Sequence, residues 1–170
     1  MLETERLLID KFTVDDAPFI LALLNMPAWL EFIGDRGVRT LEDAHLYILN
    51  NPISSYRQYG FGPYAVRLKS TNALIGMCGL HRRTFLPDID IGFAFLPNYA
   101  GQGYGYESAS ALIAYGRDIL GFTRITGITK ATNANSIRLL GKLGLRFEKK
   151  FVFHPDQPES LLFGMALTKS

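Results

Sequence analysis

Cysteine is all but missing from this chain: Cys78 stands alone, so no intramolecular disulfide can form and a reducing cytoplasm is the expected setting. It sits in an apolar, strand-like stretch and reads as a small core residue; the other reading, a reactive thiol, lacks a neighbour in sequence to stabilise a thiolate. Histidine is scarce as well. His45, His81 and His154, three in 170 residues, give no metal-ligand spacing, and no metal is expected. Long apolar runs are missing: none approaches the ~20 residues of a membrane span, and charges fill the first ten positions where a signal peptide would be apolar. A dominant charge is missing too. Eighteen basic residues face 16 acidic ones, for a net charge of +2, and no basic run marks a nucleic-acid surface or a membrane tether. Neither nucleic acid nor membrane is an expected partner.

What is present is enough apolar material, 48% of 170 residues, for one domain over residues 1–170 with a sizeable core. A short apolar strand is expected at 6–10. Thr13 with Asp16 and Thr40 with Asp43 are capping signatures for two helices, the first carrying Pro18 in its opening turn, the second ended by Asn51-Pro52. Between them, residues 25–39 break periodicity while holding Trp29, Phe32 and Arg36. That segment reads either as a pocket wall or as an aromatic plug packed on the core. Residues 62–69 and 74–82 read as a hairpin turning near Ser70-Thr71-Asn72.

The strand at 88–96 alternates, with Ile89, Ile91, Phe93 and Phe95 on one face and Asp90, Gly92 and Ala94 on the other. Pro97-Asn98 stops it. A helix then runs from about Gly103 to Gly121, followed by a strand at 123–130, so that strand, turn, helix and strand make a parallel crossover. A shorter helix at 133–144 and strands at 145–153 and 161–167 complete a mixed α/β (α+β) sheet flanked by helices.

Gly101, Gly103 and Gly105 sit where that central helix begins, so backbone amides can turn toward an anion at its positive end. Taken alone the spacing supports phosphate binding only as a class, and a tight strand-to-helix connection explains it equally well. It is no Walker loop, since no Lys-Ser/Thr follows, and the acidic residue of a dinucleotide fingerprint is missing.

Downstream, residues 132–147 read TNANSIRLLGKLGLRF. Asn133-x-x-Ser136 followed by Lys142-Leu143-Gly144-Leu145, after a Gly-x-Gly-x-Gly helix start, resembles the GNAT acetyltransferases, especially the ribosomal-protein N-terminal acetyltransferase (RimJ/RimL-like) type. The opening Leu2-Glu3-Thr4-Glu5-Arg6-Leu7 and the run Asp90-Ile91-Gly92 before Leu96-Pro97 resemble the same group. The resemblance spans essentially the whole chain. It implies a mostly antiparallel seven-stranded sheet with about four helices, splayed between strands 4 and 5, and use of acetyl-CoA, with a homodimer as a common assembly.

The same resemblance implies that the bulged backbone of Phe93, Phe95 and Leu96 pairs with the pantetheine arm. It implies further that amides of Gln102, Gly103, Tyr104 and Gly105 take the pyrophosphate, that Asn133 lies along the arm and that Ser136 lies near its sulfur. The chain departs from the family pattern at Ala100, where Arg or Gln is commonest, and at Leu140 and Leu145, where a Tyr acid and a Phe are common. Ser136 then becomes the candidate donor to the thiolate. An amine must be neutral to attack a thioester, which calls for a base. Asp90 is the first candidate and His81 the second. Each has a plainer reading: a paired strand acid, a surface histidine beside Arg82 and Arg83, a serine bonding within a helix's first turn. Trp29, Phe32 and Arg36, with the loop 56–62, are the expected acceptor contacts. The acceptor itself reads as an amine, on a protein N-terminus or on a small molecule. A non-catalytic acyl-CoA sensor is the reading outside the enzyme class.

Overall fold

The computed structural model describes residues 1–152 and 155–169. Phe153, the expected end of one strand, and the unassigned His154 lie outside those residues. Strands β1 (Leu2–Glu3), β2 (Leu7–Lys11), β3 (Pro63–Leu68), β4 (Leu74–His81), β5 (Ile89–Phe95), β6 (Arg124–Lys130), β7 (Arg146–Phe151) and β8 (Ser160–Ala166) form one sheet in the order β1-β2-β3-β4-β5-β6-β8-β7. All neighbours are antiparallel except β5 and β6. The sheet has eight strands rather than seven because Leu2 and Glu3 pair with Ile9 and Leu8. The expected fourth and fifth strands are therefore β5 and β6.

Helices α1 (Ala17–Leu24) and α3 (Leu41–Ile48) follow the Thr13/Asp16 and Thr40/Asp43 capping boxes, the first through one 3-10 turn. Two expectations need correction. The segment 25–39 is not all irregular: Pro27, with no N–H to leave unsatisfied, opens α2 (Pro27–Phe32). Nor does Asn51-Pro52 end its helix. The chain widens into a π-turn at Leu49–Ile53, which absorbs the missing proline donor, and continues as α4 (Ser54–Tyr59) until Gly60 turns left-handed at φ +79°. Helices α5 (Tyr104–Asp118) and α6 (Ala134–Lys142) lie where the periodicity puts them.

Strand alternation divides the molecule. Ile89 and Ile91 of β5, with Leu7, Ile9, Val66, Cys78, Leu80 and Ile125, pack under Ala109, Leu112 and Ile113 of α5. Burial pushes the Cys78 thiol up to about 12, so it is an inert core group at neutral pH. On the other face, Ala65 and Met77 pack against Ile20, Leu24, Ala44, Ile48 and Trp29 of the first three helices. Asp90 and its cross-strand partner His81 belong to this second face.

Only Ile89↔Ile125 and Asp90↔Thr126 join β5 to β6. Thr126 Oγ1 donates to Ile89 O at 3.0 Å, and Arg124 closes that end by pairing with Asp88 at 3.1 Å and with Glu148. Past Asp90 the two strands part.

Candidate active site

The parting strands open a cleft of ≈ 1140 Å³. One wall is β5, whose side toward β6 is unpaired from Ile91 onward. The expected bulge is not there: β4 and β5 keep one register from Gly76↔Phe95 to His81↔Asp90. The splay alone frees the backbone. Phe93 and Phe95 line the cleft, whereas Leu96 donates its amide to Ile75 O at 3.0 Å and lies outside the wall.

At the open end, Gly101 and Gly103 take φ +75° and +85°, where a Cβ is strained, and Gly103 caps α5. The helix's first internal bond is Glu107 N–H to Gly103 O at 3.0 Å. The amides of Tyr104, Gly105 and Tyr106 therefore have no helical acceptor. Gln102 faces elsewhere: its carbonyl accepts from Arg6 Nη1 at 3.0 Å and its side chain donates to Asn98 O at 3.0 Å.

This turn is held by residues about a hundred positions upstream, a contact that nothing in local spacing announces. Arg6 donates through Nε to Glu107 at 2.7 Å, and its guanidinium lies 4.4 Å from the Tyr104 ring centre. The same carboxylate accepts from Thr4 Oγ1 at 2.6 Å and from Arg6 N–H at 2.8 Å. Partial burial by itself raises the Glu107 pKa; the donors of Thr4 and Arg6 outweigh it and hold Glu107 below the ordinary glutamate range.

Helix α6 supplies the facing wall. Asn133 caps it by accepting Ser136 N–H at 3.2 Å, and both side chains line the cleft with Arg138 and Lys142. Ser136 Oγ makes no hydrogen bond to the described residues, which leaves its donor free.

Asp90 lies at the apex, 2% exposed. Oδ2 accepts from Arg83 Nε at 2.9 Å, while Oδ1 is buried with no hydrogen-bond partner among the described residues; the Ile128 amide of β6 acts on the carboxyl as a whole. Burial raises the carboxyl pKa to about 6, Arg83 and the Ile128 amide pulling against it. His81 lies across the strand pair, its Nε2 2.9 Å from where a Cβ on Gly92 would stand, so only glycine admits the ring. Burial first, then the Arg83 charge, push its pKa down to about 3. The ring's edge lines the cleft as a neutral group with little basicity.

Trp29, Phe32 and Arg36 all line the cleft beyond Asp90. With them come Tyr59, inside the expected 56–62 segment, which is helix α4 as far as Tyr59 rather than all loop, and Tyr47 of α3, which sequence reading did not single out. Helix α2 is also tied to the far end of β6, where Lys130 Nζ donates to Glu31 O at 2.6 Å. Among the described residues no group of His, Cys, Asp or Glu could hold a metal, and no helix is long and apolar enough to cross a membrane.

A splayed mixed sheet with a left-handed glycine turn at the helix between its diverging strands defines the acyl-CoA N-acyltransferase class of fold. Residues 6–146 match the acetyltransferase (GNAT) domain, and the chain belongs to that family. It is 29% identical to the uncharacterized N-acetyltransferase YnaD of Bacillus subtilis over 88% of this chain and 85% of that one. The crystal structure of a GNAT-family acetyltransferase from Bacillus anthracis superimposes with a TM-score of 0.81 at 26% identity, covering 96% of each chain. Spermidine N-acetyltransferase from Vibrio cholerae, solved with CoA and spermine, shares the fold at a TM-score of 0.78 and 15% identity over 96% of this chain and 97% of that one.

Proposed function

We propose that this acetyltransferase moves an acetyl group from acetyl-CoA directly to the α-amine of its acceptor, with Asp90 as general base and Ser136 as proton donor. The observation that carries the reading is Asp90 itself: a buried carboxyl with a pKa of about 6 and one unpartnered oxygen at the apex of a splayed strand pair.

The residues present fit acetyl-CoA. The glycine turn and the free amides of Tyr104, Gly105 and Tyr106 suit a pyrophosphate at the helix's positive end. The unpaired side of β5 suits the amides of an extended arm, and Arg138 and Lys142 offer charge to phosphate oxygens. When bound, acetyl-CoA supplies the activated acyl carbon. Asp90 then takes a proton from the ammonium, the amine nitrogen forms a bond to that carbon, and the carbon–sulfur bond breaks. An N–H of β5 beyond Asp90 steadies the developing oxyanion. Ser136 hands a proton to the departing sulfur and is refilled by the second proton, which the acylated nitrogen loses as the amide forms, while the proton on Asp90 returns to solvent. Neutral His81 adds no further cation beside the incoming ammonium.

An α-amine is the favoured acceptor because its pKa lies ~2 units above that of Asp90, whereas a lysine or polyamine nitrogen at ~10.4 lies ~4 above. A protein N-terminus, the acceptor implied by the RimJ/RimL-like resemblance, satisfies this directly, and a small amino compound does so when its binding site lowers the amine into that range. Calorimetry with acetyl-CoA joined to a thiol-release assay over a panel of amines tests the reading. Binding with turnover supports it. Binding without transfer to any amine would favour the acyl-CoA sensor, and no binding would remove both.

A further inference from the structure

The acceptor end of the cleft carries a charge pattern that the transfer chemistry alone does not require. Six charged side chains line the cleft: Arg36, Arg82, Arg83, Arg138, Lys142 and, as the one acid, Asp90. Arg138 and Lys142 stand on α6 beside the glycine turn, whereas Arg83 is bonded to Asp90 at the apex. The six residues of β5 from Asp90 to Phe95 run roughly 17 Å from the apex toward the turn, in five steps of about 3.3 Å. The arginines of the apex are therefore out of reach of a pyrophosphate at α5.

These arginines converge. The Tyr47 hydroxyl, raised first by burial, feels the positive fields of both Arg36 and Arg83, and Arg82 lies 5.8 Å from the Tyr59 ring centre. Neither Arg36 nor Arg82 pairs with a carboxylate among the described residues, and Arg83 spends Nε on Asp90 while its two Nη groups make no hydrogen bond there. Trp29 adds one more donor: it is 4% exposed, and its Nε1–H has no acceptor among the described residues. The unspent charged and buried groups at this end are thus four sets of donors and a single acceptor, Asp90 Oδ1.

From this complementarity, and resting on the transferase reading above, we infer that the acceptor is a small amine bearing a carboxylate or phosphonate on the carbon next to its nitrogen: an α-amino acid or its phosphonate analogue. The ammonium meets Asp90 Oδ1. The anion meets the Nη groups of Arg83, with Arg36, Arg82 and Trp29 behind it. One guanidinium thereby touches the base through Nε and the anion through Nη, which sets the two acceptor groups close together. Held there, the carboxylate no longer raises the pKa of its own amine. A polyamine would bring a second cation against three arginines, and a peptide N-terminus carries an amide where the anion belongs. The bond changes are those given above, with the same proton balance.

The test is kcat/KM at saturating acetyl-CoA for L-leucine, L-phenylalanine and 1-aminoethylphosphonate. Comparison amines are the two carboxamides, the decarboxylated amines, spermidine and a tetrapeptide with a free N-terminus. The anionic amines should exceed every comparison amine by at least tenfold. Arg36→Gln, at an exposed position, should erase most of that ratio by raising KM for the anionic amines at least tenfold more than for the carboxamides. Transfer to carboxamides, spermidine or the tetrapeptide at equal or greater efficiency overturns the anion requirement and leaves the transferase reading standing. Acetyl-CoA binding without transfer to any amine overturns both.

Discussion

Arg83→Gln offers the sharpest test of the base, because it alters the acidity of Asp90 without touching the carboxyl group. In the native protein burial raises the carboxyl to about 6 while Arg83, bonded at 2.9 Å, holds it down from a still higher value. A charge-assisted hydrogen bond contributes ~1.5–3 kcal/mol. Arg83 is 36% exposed, so solvent screening favours the bottom of that range, ~1.4 kcal/mol or ~1 pH unit. The sign follows from charge. Removing a cation beside a carboxylate disfavours the ionised form, so the pKa rises from about 6 to ~7.

A base is active only when deprotonated, and the acid limb of kcat/KM should move upward by the same amount. At pH 6 the ionised fraction falls from about one half to about one eleventh, a ~fivefold loss, while the rate plateau above pH 8.5 changes little through this path. Thiol release followed from pH 5 to 9 with two amines that carry no anion for Arg83 to bind and that differ in pKa separates the limbs: the one due to the amine moves with the amine, the one due to Asp90 does not. Asp90→Asn should abolish the lower limb and most of the rate. A lower limb that stays in place in Arg83→Gln, or persists in Asp90→Asn, would remove Asp90 from the role.

Asp90→Asn should also stabilise the protein near neutrality. The native carboxyl, at about 6, binds its proton more tightly than the unfolded one at ~3.9, so stability is full below ~4 and declines as pH rises through about 6. Melting curves should show little difference from wild type near pH 3.5 and a gain of ~3 kcal/mol by pH 7; a gap that does not vary with pH would contradict this linkage. Glu107→Gln should cost ~1–2 kcal/mol, kept low because Arg6 is 43% exposed. Since Glu107 is held below its ordinary value, that cost should fade as the pH drops through the carboxylate range, which acid denaturation midpoints will show. Gly103→Val forces a branched side chain into φ +85° and a Cβ to 3.2 Å from Arg6 Nη2. At ~1–2 kcal/mol of strain, the Kd for acetyl-CoA measured by calorimetry should rise about tenfold. Ser136→Ala should lower kcat with little change in that Kd, and an equal loss in both would recast Ser136 as a binding group.

The elements that sequence made legible are those written in local chemistry. Two Thr-x-x-Asp boxes, the alternation of β5 and the glycines before α5 each act within a few residues, and each is found where expected. Asp90 was legible as a strand acid and first candidate base, though not as a buried one, and Trp29, Phe32 and Arg36 as a segment unusual for a plain connector. Long-range pairings were not legible. Arg6 with Glu107 and Arg83 with Asp90 join elements whose meeting depends on the whole sheet. The helical course past Pro52 was hidden for a different reason: a π-turn tolerates the missing donor that an α-helix does not. The bulge implied by family resemblance is replaced by a plain divergence of strands, which frees the same backbone groups without an extra residue.

That divergence has a cost for the molecule as a polymer. With two residue pairs joining β5 to β6, an interior strand keeps the unpaired backbone of an edge strand for most of its length, and such an edge is a template on which any extended chain can add. Margins of sheets are guarded by charge or by short strands; this one is flanked by helices. Helix α2, tied through Glu31 to Lys130 at the tip of β6, and helix α6 contribute residues to the walls of the cleft on this free side. Cover for the free backbone then comes from the same helices that wall the cleft, and loosening the Lys130–Glu31 tie uncovers that backbone at the centre of the sheet rather than at its rim.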